Sequence, residues 1–237
     1  MPDDDWRSTN LANWNERVAF HAASGNYRVE QIATDPDVIS GVVDFDRQLV
    51  GDATGKRAGV AARWYFGDLY DAPQVIGDET FDLVYTGVGA IGWLPDIRGW
   101  AQVVGHFVAP GGSFFIRECH PVLSALDYDD PDRLSIIFPY FETAEPTVFD
   151  EDGTYVDRDA SFEHNRTVEW IHGLAETIQA LLDAGLVLDD VGEHTFTDWQ
   201  PFDRFQKIDE RYGHWALPED IRSHLPTMFH LKMHRPA

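Results

Sequence analysis

Glu118 and His120 stand two residues apart at the end of the apolar run Ser113–Cys119 (SFFIREC). A carboxylate and an imidazole at the carboxyl end of a strand can orient a substrate or take its proton, and histidine is the side chain most easily tuned near neutral pH. His120 could equally pack beneath the segment that follows. Cys119, the only cysteine, sits between them, but adjacent cysteine and histidine cannot easily share one metal ion. None of the 10 histidines makes H-x-x-x-H or H-E-x-x-H spacing on a helix, and Glu163-His164 and Glu193-His194 are isolated pairs. No metal is expected. The run GDATGKR (51–57) has three residues between its glycines where a phosphate-binding loop needs four, and Arg57 follows Lys56 where Ser or Thr is required.

The run FDLVYTGVGAIGWLPD (Phe81–Asp96) reads as a strand ending in small residues. Ligands of open α/β sheets bind at such strand ends, although a packing strand with a glycine turn would read the same way. Ile97–Val108 has helical periodicity, Pro110-Gly111-Gly112 predicts a tight turn, and Ser113–Cys119 predicts the next strand. Strand, helix, turn and strand in this order point to a parallel βαβ unit.

Upstream, Leu11, Trp14, Val18 and His21 or Ala22 recur at helical spacing and predict an N-terminal helical arm within residues 1–50. A second helix is predicted over Asp37–Val50, and a short strand over Arg63–Phe66. Residues 121–165 break the rhythm. Rich in Asp, Pro and aromatics, they predict a β-rich lid with short strands in PYFETAEP and DEDGTY and a hairpin turn at Asp152-Gly153. A long helix over Val168–Ala184 and strands over Leu186–Phe196 and Thr227–His234 complete the pattern, and 1–237 reads as one domain. Tyr140, Phe141, His164, Trp170 and His172 could line a substrate pocket from the lid side, or form the lid's own core.

The formal charge is −23, with 41 acids against 18 Lys and Arg. Such a field repels nucleic-acid phosphates and anionic membranes, so neither is expected as a partner. No apolar run approaches the ~20 residues that span a bilayer. The acidic N-terminus is unlike a secretory leader, and a single cysteine suits a reducing compartment, so a soluble cytoplasmic protein is expected.

The combination of GDLYDAP, FDLVYTGVGAIGWLPD, a helix leading into VAPGGSFFIRE, and a final antiparallel strand pair resembles the class I S-adenosylmethionine-dependent methyltransferases that act on small molecules. The resemblance covers residues 60–120 and 168–235 well and the arm more loosely. It implies a Rossmann-like α/β sheet, S-adenosylmethionine as cofactor, and methyl transfer to an O, N or C nucleophile of a small molecule. By the same resemblance, Asp68 and Leu69 border the adenine and Thr86, Gly87 and Val88 line the methionine portion. Trp14, Arg17 and His21 would close over the cofactor, with Glu118 and His120 serving the substrate. The family also carries a strand, a glycine-rich loop, a helix and a second strand ending in an acid where this chain has seven residues between Gly55 and Arg63. A βαβ unit takes roughly 30 residues. The expected sheet is therefore truncated, with Arg63–Phe66 pairing directly beside Phe81–Thr86 or a homodimer hiding the apolar surface. The alternative to an enzyme is an inactive methyltransferase-like binding or dimerisation module.

Overall fold

The computed structural model describes residues 5–25, 27–35, 37–50, 63–128, 130 and 133–237. In chain order the elements are α1 (Asp5–Ala23), α2 (Val29–Thr34), α3 (Gly41–Val50), α4 (Ala72–Ile76), β1 (Phe81–Thr86), α5 (Ile97–Phe107) and β2 (Val108–Cys119). There follow α6 (Pro121–Ser124), β3 (Thr147–Asp150), β4 (Arg166–Glu169), α7 (Leu174–Asp183), β5 (Val187–His194), β6 (Gln206–Lys207), β7 (Trp215–Ala216) and β8 (Met228–His234).

The fold is mixed α/β, as the alternation of patterns predicts. Its central sheet has the order β1-β2-β8-β5. β1 and β2 run parallel, joined by α5, while β8 lies antiparallel to both β2 and β5. The C-terminal strand pair is thus β5 and β8, as expected. No helix among the described residues is long and apolar enough to cross a membrane.

One face of the sheet is an apolar layer. Phe114 and Ile116 of β2 and Phe229, Leu231 and Met233 of β8 alternate onto it, as the two-residue strand period requires. Against them pack Ile97, Trp100, Ala101 and Val104 of α5 and Ala180 and Leu181 of α7. Each large side chain so buried stabilises by about 1.5–3 kcal/mol before chain entropy is counted. Asp96 starts α5 cleanly, its carboxylate accepting from the N–H groups of Arg98 and Gly99. The Pro110-Gly111-Gly112 turn is a bulge inside β2. The register jumps from Phe81 opposite Val108 to Leu83 opposite Ser113, and Gly111 takes φ 74°.

The other face is polar and is covered by α3. Asp46 of α3 meets Arg117 and Tyr85, and Lys232 donates to the Val50 carbonyl. Phe45 lies edge-on to His194, Phe196 and His214. α3 begins at Gly41 rather than Asp37 because Ser40 caps it, its hydroxyl accepting from the Val43 N–H.

Three other elements depart from the sequence pattern. Arg63–Phe66 forms no strand, and Trp64 and Phe66 are 92% and 96% exposed. Among the described residues β1 pairs with β2 alone, and 63–66 do not take up its free edge. The run GDATGKR and the rest of 51–62 lie outside the described residues. The helix expected from Val168 starts at Leu174, because 166–169 pair with β3 and the Trp170 N–H is taken by the Gly92 carbonyl. Glu176 then fixes the start by accepting from the Gly173 N–H at 2.8 Å. In the insertion, PYFETAEP holds no strand. Thr154 and Asp157 pair across Tyr155-Val156, so Asp152-Gly153 is not the hairpin turn.

Candidate functional site

Because β1 and β2 are parallel, both deliver their carboxyl ends to the same edge of the sheet, where a ligand finds unpaired backbone groups. The loop 87–96 leaves β1 there, passing from Thr86, Gly87 and Val88 to Asp96. Gly89 turns it with φ 78°, a conformation that suits glycine.

Glu118 holds this loop in place. Its Oε1 accepts from the N–H groups of Gly89 (2.8 Å) and Cys119 (2.7 Å), and its Oε2 from those of Ala90 (2.8 Å) and Ile91 (3.3 Å). The carboxyl is buried, and burial raises its pKa even though all four N–H groups favour the charged form. Both oxygens are committed to backbone, so the side chain positions the β1 exit loop.

His120 is similarly engaged. Its Nδ1 accepts from the Val122 N–H at 3.2 Å and caps α6, which leaves the ring proton on Nε2. That atom approaches Glu193 Oε1 at 3.0 Å without the alignment of a hydrogen bond. Burial lowers the His120 pKa and Glu193 partly restores it. The Cys119 thiol is pushed up to about 12, mainly by burial, so it is no thiolate at neutral pH.

Three pieces of chain converge on the loop. The first is the turn at 68–71. Asp68 Oδ1 accepts from the Tyr70 N–H at 2.9 Å, and the Tyr70 hydroxyl both donates to the Asp96 carbonyl and accepts from the Asp96 N–H, each at 3.0 Å. Burial raises the Tyr70 pKa to about 12, so the phenol keeps the proton it donates. Leu69 sits on the same turn, partly exposed. The second piece is α1. Arg7 donates to Asp68 Oδ2 at 2.5 Å, and Trp14 packs edge-on against Trp93 with centroids 5.4 Å apart. The third is the segment that follows the 121–165 insertion. Trp170, stacked edge-on with Trp6, donates its N–H to Gly92, and His172 Nε2 lies 2.8 Å from the Leu94 carbonyl. The other His172 nitrogen lies 2.7 Å from Glu142, so both ring nitrogens face acceptors.

The remaining candidates lie elsewhere. Arg17 and His21 sit in the seam between α1 and the insertion. Arg17 donates to the carbonyls of Asn13 and His164 (3.0 Å each) and of Gly153 (3.3 Å), while His21 Nε2 meets Thr154 Oγ1 at 2.6 Å. Burial is the main cause lowering the pKa of both. His164 is in the same seam, its Nδ1 2.7 Å from Glu16. Tyr140 accepts from the Leu174 N–H at 3.4 Å, and Phe141 points mostly to solvent.

Sequence reasoning misplaced the buried face of α1. Leu11 and Val18 are exposed, whereas Asn10, Asn13, Arg17 and His21 are buried. These four follow helical spacing as well as the apolar set does, so the polar period was the readable signal. It also missed the charge pairs of the α3 face, the Arg117 cluster buried and Asp190 exposed. Arg117 bridges Asp46 and Asp198, and Asp190, His230 and His194 form a hydrogen-bonded chain at 3.1 and 2.9 Å.

No protein-family model matches the sequence, and no curated protein does. Solved structures resemble the chain weakly, among them proteins described as S-adenosylmethionine-dependent methyltransferases. One described so, from Listeria monocytogenes, is 15% identical with a TM-score of 0.48 over 79% of this chain and 78% of its own. One from Mesorhizobium loti is 16% identical with a TM-score of 0.43 over 78% and 77%. One from Clostridium acetobutylicum is 10% identical with a TM-score of 0.44 over 98% and 100%.

Proposed function

We propose that this chain is a class I methyltransferase-type protein that takes S-adenosylmethionine at the carboxyl ends of β1 and β2 and serves a small-molecule methyl acceptor. The observation that carries this reading is the built loop at the β1 exit, fixed by the four N–H bonds to Glu118 and walled by Asp68, Trp14 and Trp170. In this reading the chain is one cytoplasmic domain, 1–237, without nucleic-acid or membrane partners.

The residues fit the cofactor in part. Asp68, with one oxygen on Arg7 and the other on Tyr70, keeps lone pairs for the adenine edge, and Leu69 offers an apolar wall beside it. Thr86, Gly87 and Val88 supply the strand-end backbone. A glycine-rich cradle for the methionine and an acid for the ribose have no counterpart among the described residues, so no methyl-transfer step is derived. Arg17, His21 and His164 serve this site by joining α1 to the insertion that covers it. Tyr140, Phe141, Trp170 and His172 remain the acceptor-side candidates.

One observation favours a second reading, a binding module without turnover. Glu118, with both oxygens on backbone N–H groups, and His120, with Nδ1 on the Val122 N–H and Nε2 buried against Glu193, are the two groups best suited to substrate chemistry, and both are turned to the protein. Calorimetric titration of S-adenosylhomocysteine into the folded chain separates these readings. Binding that Asp68→Ala weakens by about 1.5–3 kcal/mol supports the site. Methyl release from S-adenosylmethionine over a panel of nucleophiles then selects the enzyme, and its absence the module. No binding by a folded chain overturns the cofactor site and leaves an inactive dimerisation module.

A further inference from the structure

A chain with 41 acids and 18 Lys and Arg leaves few cations without an acidic neighbour. Three arginines nonetheless line a cleft of about 330 Å³ beside α3, which shares no residue with the site at the β1 and β2 exits. Arg47 of α3 has no hydrogen-bond or ion-pair partner among the described residues. Arg211, between β6 and β7, clasps Asp44 through Nε and Nη2 at 3.1 and 2.9 Å, which leaves Nη1. Arg28 uses Nε on Gln31 and Nη1 on the Ile39 carbonyl, which leaves Nη2. Its backbone is left-handed, φ 50° and ψ 34°, and it is the one non-glycine residue with positive φ among those described. Asp37 and Asp44 are the acids in the lining, so the cleft keeps a net positive charge inside a strongly negative molecule.

We propose that this cleft binds a small organic phosphate. Guanidinium groups arriving from three separate parts of the chain surround a tetrahedral group of oxygens better than the planar pair of a carboxylate. Asp37, exposed at the rim, can accept from a hydroxyl on the body of the ligand. Because most of the protein repels anions, affinity must come from these short-range bonds, and it should survive salt better than long-range attraction would.

The test is calorimetric titration with inorganic phosphate, glycerol phosphate and acetate at constant ionic strength set with chloride. Saturable binding of both phosphates, with acetate weaker by about tenfold or more, is expected from the free fork of Arg47 together with the single N–H groups that Arg28 and Arg211 keep. Arg47→Ala should abolish it and Arg47→Lys restore it in part, since the lysine keeps the charge and loses the fork. Arg98→Ala, which removes an exposed arginine paired with Asp183, should leave it unchanged. No saturable phosphate binding by the wild type overturns the proposal. So does equal affinity for acetate, or undiminished binding by Arg47→Ala. Should Arg47→Ala fail to fold, the wild-type Arg47 Nε–H resonance decides: a shift on adding phosphate supports the site, and no shift overturns it.

Discussion

The two faces of the central sheet are built by opposite means. Toward α5 and α7 the strands present Phe114, Ile116, Phe229, Leu231 and Met233, and stability comes from area withdrawn from water. Toward α3 they present Arg117, His230 and Lys232 around the one buried ring of Phe115, and α3 is held by charge pairs and rings around Phe45. An apolar layer degrades gradually as side chains shrink. A buried ion cluster fails when one member is lost, because the survivors cannot regain water.

The largest effects test that contrast directly. Trp100→Ala empties the centre of the apolar layer and should cost about 3–5 kcal/mol in urea unfolding. Arg117→Ala should cost a similar 3–5 kcal/mol, since it leaves Asp46 and Asp198 buried without their shared cation. The difference lies in the compensated variant. Replacing Asp46, Arg117 and Asp198 together by Leu, Met and Leu should be neutral or stabilise by about 1–4 kcal/mol. No matched replacement recovers Trp100. A triple variant as unstable as Arg117→Ala would show that the ions hold α3 by more than mutual compensation.

Acid sharpens the contrast by a smaller amount. His194 is held down to about 4, first by burial and then by the positive fields of His230, Arg117 and His214. Its folded pKa lies below the ordinary 6.5, so the unfolded chain takes up the proton first. The stability tied to neutral His194 is complete above about pH 6.5 and is lost as pH falls toward 4. Because the ring is only partly shielded, solvent screening cuts the loss to about 1–2 kcal/mol. His194→Phe should flatten the urea midpoint against pH across that window. An unchanged slope would mean His194 is solvated in both states.

What the sequence revealed follows the same division. The apolar face was readable because its signal is periodic: α5 ends one residue from its expected boundary and β2 at the expected Cys119. The α3 face was not. Arg117 and Asp46 lie 71 positions apart, and no spacing rule joins two charges that meet only after folding. Glu118 shows the same limit at the site. Its position at a strand end was visible, but a carboxylate aimed at a substrate and one aimed at four N–H groups read alike as letters. The strand ends at Thr86, Gly87 and Val88 were legible because they depend on strand order, whereas the roles of Arg17 and His21 depend on which face of α1 the insertion covers.

The smallest expected effect probes a region that belongs to neither face. Trp64 and Phe66 precede a sheet whose first strand has one described neighbour, and nearly their whole surface is in water. If they pack on nothing, Trp64→Ser with Phe66→Ser should move the unfolding free energy by no more than about 0.5 kcal/mol. Two large aromatics left in water are also an adhesive surface, so the variant should be the more soluble of the two proteins. A loss well beyond that bound, growing with protein concentration, would mean that the aromatics are covered in solution by a second copy. The edge of β1 would then be the place to look for its contact, because that is where an unpaired strand offers backbone bonds as well as apolar area.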